Sequence, residues 1–152
     1  MTLESEVQSL RQVPMFRGIE RSRLKLLAFT SERISFAPGQ RFFTQGDAAD
    51  AAYVILDGKA DVVLGSKEGQ FKVAELGRNA LVGEMGILSD SPRSATIVAT
   101  EPVSALRIDK RVFLDLLTQF PQMSIAVMRE LASRLERTNA QLSALSRNHG
   151  GA

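Results

Sequence analysis

The chain of 152 residues contains no cysteine and a single histidine, His149. Without thiols there are no disulfides and no thiolate metal sites, and one isolated imidazole is too little for a transition-metal centre, so no metal and no cofactor are expected. His149 lies in a tail that ends in glycine, where a solvated side chain is expected rather than a ligand or a general base. No apolar run is long enough to span a membrane, the N-terminus lacks a signal peptide's charge and apolar stretch, and no basic block suggests a nucleic-acid arm. No plausible nucleophile sits beside a base, since the serines cluster with Gly, Pro and Asp as turn residues do. No catalytic residue is assigned and an enzyme is not expected. With 44% hydrophobic residues and a formal charge of +2, the composition suits one globular domain, cytoplasmic by default, with only a faint bias toward an anionic partner.

Along the chain, Leu3, Val7 and Leu10 and then Leu24, Leu27 and Ala28 fall at helical spacing, joined by Pro14-Met15-Phe16-Arg17-Gly18. Two short helices are expected there. From Arg33 the pattern becomes brief β-rich runs punctuated by Pro38-Gly39, Gln45-Gly46-Asp47, Asp57-Gly58, the segment from Gly65 to Gly69, and Gly77. Such punctuation predicts antiparallel strands, including Tyr53 to Leu56, Ala60 to Leu64, Phe71 to Leu76, Ala95 to Ala99 and Val103 to Ile108. Asp57-Gly58 is the sharpest turn signal and predicts a tight hairpin between the runs on either side of it. Many short strands at this spacing, with no long helix among them, suggest a roll or barrel closed on its own core.

After the strands the chain turns helical, over Lys110 to Gln119 and then from Pro121, which suits a first helical turn, to about Ser146. In the last helix Met128, Leu131, Leu135, Thr138, Leu142 and Leu145 follow alternating steps of three and four. That is the seam of a coiled coil, so pairing with a second copy is expected, against the alternative that the stripe packs on the chain's own roll. The Thr138 hydroxyl in this seam either tolerates exposure or meets something polar.

The most informative stretch is Gly83-Glu84-Met85-Gly86-Ile87-Leu88, followed after a short loop by Pro92-Arg93-Ser94-Ala95-Thr96. Gly83 permits close backbone approach, and Glu84 opens a short helical turn whose first amides lack internal partners. Pro92 stiffens the loop so that Arg93 is held near the mouth of the roll. A carboxylate accepts from a ribose hydroxyl, free amides hold a phosphate charge, and a guanidinium clamps the same phosphate. Taken singly, each of these residues has an ordinary role, as a helix-start acid, a surface arginine or a turn glycine.

Together they resemble the phosphate-binding cassette of the cyclic nucleotide-binding domain family, which runs Gly-Glu, two small or apolar residues, a variable loop, then Pro-Arg, a small residue and Ala-Thr. Val13-Pro14-Met15-Phe16, Pro38-Gly39, Gln45-Gly46-Asp47 and Tyr53 to Gly58 extend the resemblance over nearly the whole chain. By that resemblance, Glu84 binds the ribose 2′-hydroxyl, Arg93 pairs with the cyclic phosphate, and the backbone at Gly86 and Ile87 with the Ser94 side chain completes the phosphate shell. Gly83, Met85 and Ala95 belong to the same cassette. Asn79-Ala80 and Val82 depart from the family's usual Gly-Asp-like pair and aromatic, but asparagine tolerates positive φ, so the turn is expected to survive. Gly86 stands where many eukaryotic members have alanine and is similar to the bacterial catabolite activator-type branch. In that branch Val62, Val73 and Ala74 map to the base pocket, and Thr138 and Asn139 to base contacts on the last helix. Ala74 replaces a serine, so one hydrogen bond to the base or phosphate is absent or supplied by water. Ser94 is compatible with either cyclic GMP or cyclic AMP.

The resemblance implies a mainly β fold, an eight-stranded antiparallel roll resembling a jelly roll, with N-terminal helices, a short cassette helix and a long C-terminal helix. Residues 1–146 form the domain, with the roll over about 32–108 and the C-terminal helices over about 110–146, and 147–152 are expected to be a disordered tail. The function implied is a stand-alone cytoplasmic, bacterial sensor of cyclic AMP, with cyclic GMP the second candidate, that moves its last helix to signal to a protein partner in trans. A homodimer through Met128, Leu131, Leu135, Leu142 and Leu145 is expected. Because the residues after Ser146 are too few for a helix-turn-helix, direct DNA binding is not expected. The alternatives are a dimerisation module of the same fold without ligand, or an excised regulatory domain of a channel or transcription regulator.

Overall fold

The computed structural model describes residues 2–65 and 68–150, with the side chains of 147–150 excepted. The expectation for the His149 side chain therefore lies outside the described residues, as does part of the turn between Gly65 and Gly69. Helix α1 (Leu3–Gln12) starts on a reciprocal cap between Thr2 and Ser5 and buries Val7 and Leu10. A 3-10 turn over Pro14–Phe16 leads to α2 (Arg21–Thr30), which buries Leu24, Leu27 and Ala28. These are the two helices the apolar spacing predicts.

Eight strands follow: β1 (Glu32–Phe36), β2 (Arg41–Phe43), β3 (Ala51–Asp57), β4 (Ala60–Leu64), β5 (Phe71–Leu76), β6 (Leu81–Val82), β7 (Thr96–Ala99) and β8 (Val103–Asp109). They form two four-stranded sheets, ordered β1-β8-β3-β6 and β2-β7-β4-β5, and every pairing is antiparallel. This is the expected roll.

One expectation fails. β3 and β4 do not form a hairpin across Asp57-Gly58: β3 pairs with β6 and β8, whereas β4 pairs with β5 and β7. The turn instead carries the chain from one sheet to the other. Gly58 is required there twice over, because its φ is 98° and a Cβ would fall 2.3 Å from the Pro102 carbonyl oxygen.

Alternation in β3 explains why it is buried along nearly its whole length. Tyr53 and Ile55 point into the roll, beside Phe36, Phe42, Val82, Ile97 and Ala105, while Ala52, Val54 and Leu56 face a second core with Leu10, Phe16 and Leu24. Phe36 stacks on Phe42 with ring centroids 4.1 Å apart, and Tyr53 meets both edge-on. The second core also takes in Phe113 of α4 (Lys110–Gln119) and Met123 of α5 (Pro121–Gly150), so both C-terminal helices are anchored to the sheet that carries β3.

Helix α5 continues to Gly150, four residues past the expected end at Ser146, so the expected tail is helical over 147–150. Propagating a formed helix adds one hydrogen bond per residue, and nothing in Ser146 to His149 interrupts it. Of the seam residues, only Leu131 packs against the chain's own core. Met128, Leu135, Leu142 and Leu145 are each more than half exposed, so the stripe does not lie on the roll.

Candidate functional site

The cassette begins where β6 ends. Gly83 caps helix α3 (Glu84–Leu88) with a left-handed φ of 84°. A Cβ there would lie 2.6 Å from Nη1 of Arg93 and 3.0 Å from the Phe43 ring, so the glycine is what lets the guanidinium pack on this backbone. Two non-glycine residues also take a left-handed φ, Asp90 in the cassette loop at 49° and Asn79 before β6 at 70°, the latter as the sequence predicts. In a helix capped at Gly83, the amides of Glu84, Met85 and Gly86 have no intrahelical acceptor, while that of Ile87 reaches back to the Gly83 carbonyl. The free amides thus sit about one residue earlier than expected, and Ile87 is buried in the helical core.

Arg93 is only 3% exposed. Its Nη1 donates to the Gly83 carbonyl at 2.6 Å and its Nη2 to the Ala51 carbonyl at 2.5 Å, while the guanidinium stacks 3.9 Å from the centre of the Phe43 ring. Asp50 lies 3.7 Å away. Burial lowers the arginine's pKa, and the charges of Tyr53, Asp50 and Asp47 work in the opposite direction. Its Nε is buried and has no hydrogen-bond partner. An unpartnered donor on a buried cation is costly, which makes this atom a place for an anionic acceptor.

Glu84 is 4% exposed and accepts from Arg134 on α5, with Nη2 to Oε1 at 3.1 Å. Arg134 is also held by Glu130 one turn earlier, through Nε at 3.1 Å. Burial works against the Arg134 charge, but Glu84 and then Glu130 outweigh it and raise its pKa. The cassette acid is thereby tied to the last helix by an ion pair.

Glu84, Arg93 and Arg134 line one cleft of about 210 Å³ together with Gly83, Met85, Gly86, Ser94, Ala95 and Val62, and with Phe43, Leu76, Leu81, Val82 and Ile97. Eight of the predicted site residues are thus brought together. The polar side chains, Glu84, Arg93, Ser94 and Arg134, belong to the cassette and α5, and the remaining walls are apolar. Ser94 is exposed and its hydroxyl forms no hydrogen bond among the described residues. The other five predicted residues do not line the cleft. Ile87 is in the core, Val73 is 47% exposed, and Ala74 is exposed although it is the register partner of Val62. Thr138 and Asn139 are exposed on α5, one turn beyond Arg134, and the Thr138 hydroxyl donates to its own helix at the Arg134 carbonyl, 2.9 Å away. No cluster of residues able to hold a metal ion occurs among the described residues.

Residues 33–120 match the family described as the cyclic nucleotide-binding domain. The chain belongs to that family. It is 27% identical over 137 residues to the CRP-like cAMP-activated global transcriptional regulator of Mycobacterium tuberculosis, covering 90% of this chain and 61% of the regulator. It is 31% identical over 134 residues to the cyclic AMP receptor protein of Thermus thermophilus, covering 88% of this chain and 62% of that protein. The crystal structure of the Thermus thermophilus catabolite activator protein superposes with a TM-score of 0.78 at 30% identity, over 88% of this chain and 63% of the other. The chain spans about three fifths of the length of these relatives. No helix among the described residues is long and apolar enough to cross a membrane.

Within this cyclic nucleotide-binding domain, Gly86 has a local reason. A Cβ at that position would come within 2.7 Å of the Ala49 methyl, so the alanine usual in other branches does not fit beside Ala49 without a shift. Arg134 is the polar site residue that sequence reading missed, and Phe43, Leu76, Leu81, Val82 and Ile97 are apolar wall residues it did not assign. The spacing of Arg134 from Glu130 makes it look like an ordinary solvated helix pair. The available signal was its place one helical turn before Thr138, on the same face, opposite a cassette acid in need of a cation.

Proposed function

We propose that this chain is a cyclic nucleotide sensor whose roll holds the sugar and phosphate and whose last helix carries the signal. The observation that supports this most is the convergence on one cleft of a buried carboxylate, Glu84, and a buried guanidinium, Arg93, with one donor unpartnered. Glu84 accepts the ribose 2′-hydroxyl, Arg93 and the free amides of the α3 start take the cyclic phosphate, and Ser94 supplies a further hydroxyl. Val62 meets the base from the roll, with Val73 and Ala74 at the outer edge.

Arg134 gives the binding event a route to α5. A hydroxyl arriving at Glu84 meets a carboxylate that already holds the helix, so ligand affinity and helix position are linked through a single side chain. Thr138 and Asn139 lie about 6–7.5 Å further along the helix axis than Arg134 and reach a base only once α5 has shifted or a second copy presents them. Cyclic AMP is the proposed ligand, in keeping with the names of the regulators the chain resembles, and cyclic GMP is the alternative. The nucleotide is bound and released unchanged. The exposed stripe of Met128, Leu135, Leu142 and Leu145, with Leu131 at its inner edge, serves as a homodimer seam, and the shifted helix acts on a cytoplasmic protein partner in trans.

A second reading has its own support. Arg134 already neutralises Glu84, and both terminal nitrogens of Arg93 already bond to carbonyls, so the site's charges are held without a ligand. On that reading the domain is a dimerisation module alone. Calorimetry of the wild-type chain with cyclic AMP and with cyclic GMP separates the two: saturable heat with either supports the sensor, and no heat with both leaves the module. Chromatography of the nucleotide after prolonged incubation is expected to return it intact.

A further inference from the structure

A second pocket, of about 180 Å³, lies behind the nucleotide cleft, between the 3-10 turn, the turn before β6, and α5. Its apolar walls are Val13, Pro14, Met15, Leu81 and Ala126. Asn79 and Ala80, the pair that departs from the family's pattern, line it as well. Leu81, Glu84 and Arg134 line both this pocket and the cleft, so the Glu84–Arg134 ion pair is a partition between the two spaces.

The polar groups of this pocket are unevenly matched. Two carboxylates, Glu84 and Glu130, line it against one cation, Arg134. Glu130 accepts from Nε of Arg134 at 3.1 Å and lies 3.8 Å from Nη2 of Arg137, and both contacts fall on its Oε1. Glu84 likewise meets Arg134 through Oε1. The Oε2 of each carboxylate has no hydrogen-bond partner among the described residues, and neither has the buried Oδ1 of Asn79. Acceptors left without donors are costly, and an ammonium, which carries three N–H donors and no acceptor, meets that need where an anion does not. We propose that this pocket binds a small primary amine, with its ammonium head among Glu84, Glu130 and Asn79 and its apolar body on Met15, Leu81 and Ala126. The pocket falls below the roughly 300 Å³ at which drug-sized sites begin, which keeps the occupant small. Such an occupant competes with Arg134 for the same two carboxylates and so acts on α5 from the side opposite the nucleotide. That consequence rests on the function proposed above, but the binding itself does not.

The test titrates the full chain, labelled with nitrogen-15, with 2-phenylethylamine, and with 2-phenylethanol and 3-phenylpropionate as its neutral and anionic counterparts. Amide shifts from the amine are expected to saturate and to cluster on Met15, Asn79, Ala80 and Ala126, with the alcohol and the acid binding about fivefold more weakly or worse. Glu130→Gln keeps the shape and removes the charge, and is expected to lower the amine's affinity about fivefold or more while leaving the alcohol's unchanged. Ala126→Phe fills the pocket and is expected to abolish binding of all three probes. Thermal melts accompany both variants, and Glu130→Gln decides alone if Ala126→Phe fails to fold. Saturable amine binding by a chain that gives no heat with cyclic AMP supports this site and sinks the nucleotide reading, and the reverse pattern overturns this site alone. The proposal is also overturned by equal affinity for amine, alcohol and acid, by amine shifts centred on Arg93 and Ser94, or by binding that survives both substitutions.

Discussion

The two ends of the nucleotide cleft are built differently. The end that carries Glu84 and Arg93 belongs to the roll, where each of these side chains is less than a twentieth exposed and Arg93 is pinned to two carbonyls and a ring. The other end depends on α5, where Thr138 and Asn139 are solvated and only Arg134 reaches the cleft. On the proposed function, the rigid end is the one that meets the constant part of the ligand, a ribose with a cyclic phosphate. On the same proposal, the freer end is the one whose position changes when binding is reported, because a ligand shifts an equilibrium only by binding one state better than the other.

The sharpest way to break this division is at Arg93. Arg93→Ala is expected to weaken cyclic nucleotide binding by about a hundredfold or more, since it removes a desolvated charge from the phosphate. It also unties Gly83 from Ala51, so a thermal melt must accompany the calorimetry, and Arg93→Lys, which keeps the charge but loses the fork, is expected to fall between the two. Next in size is Glu84→Gln, which keeps the shape and removes the charge. A loss of about tenfold toward cyclic AMP is expected, with much less toward its 2′-deoxy analogue.

Arg134→Ala tests the other end. Hydrogen exchange is expected to quicken in the middle of α5 while the strands of the roll keep their protection, because the substitution removes the tie but none of the roll's own bonds. Equal acceleration of both would mean that the two regions are one unit. Thr138→Ala carries the smallest expected effect, about fivefold or less in affinity, as befits one neutral hydrogen bond, with the preference for cyclic AMP over cyclic GMP reduced. An effect as large as that of Glu84→Gln would mean that the α5 end holds the ligand as firmly as the cassette, which breaks the division.

The same division governs what was legible in the sequence. The cassette could be read because its functional residues are local: Gly83 to Arg93 span one turn, one short helix and one loop, and their positive φ, helix start and proline follow from residue type. The strands were legible for the same reason. The pairing across Asp57-Gly58 was not, because a turn signal fixes where the chain reverses and not which sheet receives it. Pro102 and Val103, which close over Gly58 at this crossing, come from far along the chain and leave no local signal. Arg134 was hidden because its partner lies fifty residues away in sequence, while its neighbour Glu130 supplies a sufficient local explanation. Thr138 and Asn139 were placed at the base by resemblance alone, and the helix geometry sets them one turn beyond the cleft.

The central claim is that the roll reads a ribose cyclic phosphate through Glu84 and Arg93. Paired calorimetric titrations of the unmodified chain with cyclic AMP and with 2′-deoxy cyclic AMP test it most directly. Saturable binding of cyclic AMP is expected, with affinity for the deoxy analogue lower by about tenfold or more, since the analogue leaves the buried carboxylate without its donor. Equal affinity for the two, or no heat from cyclic AMP and none from cyclic GMP, would contradict it.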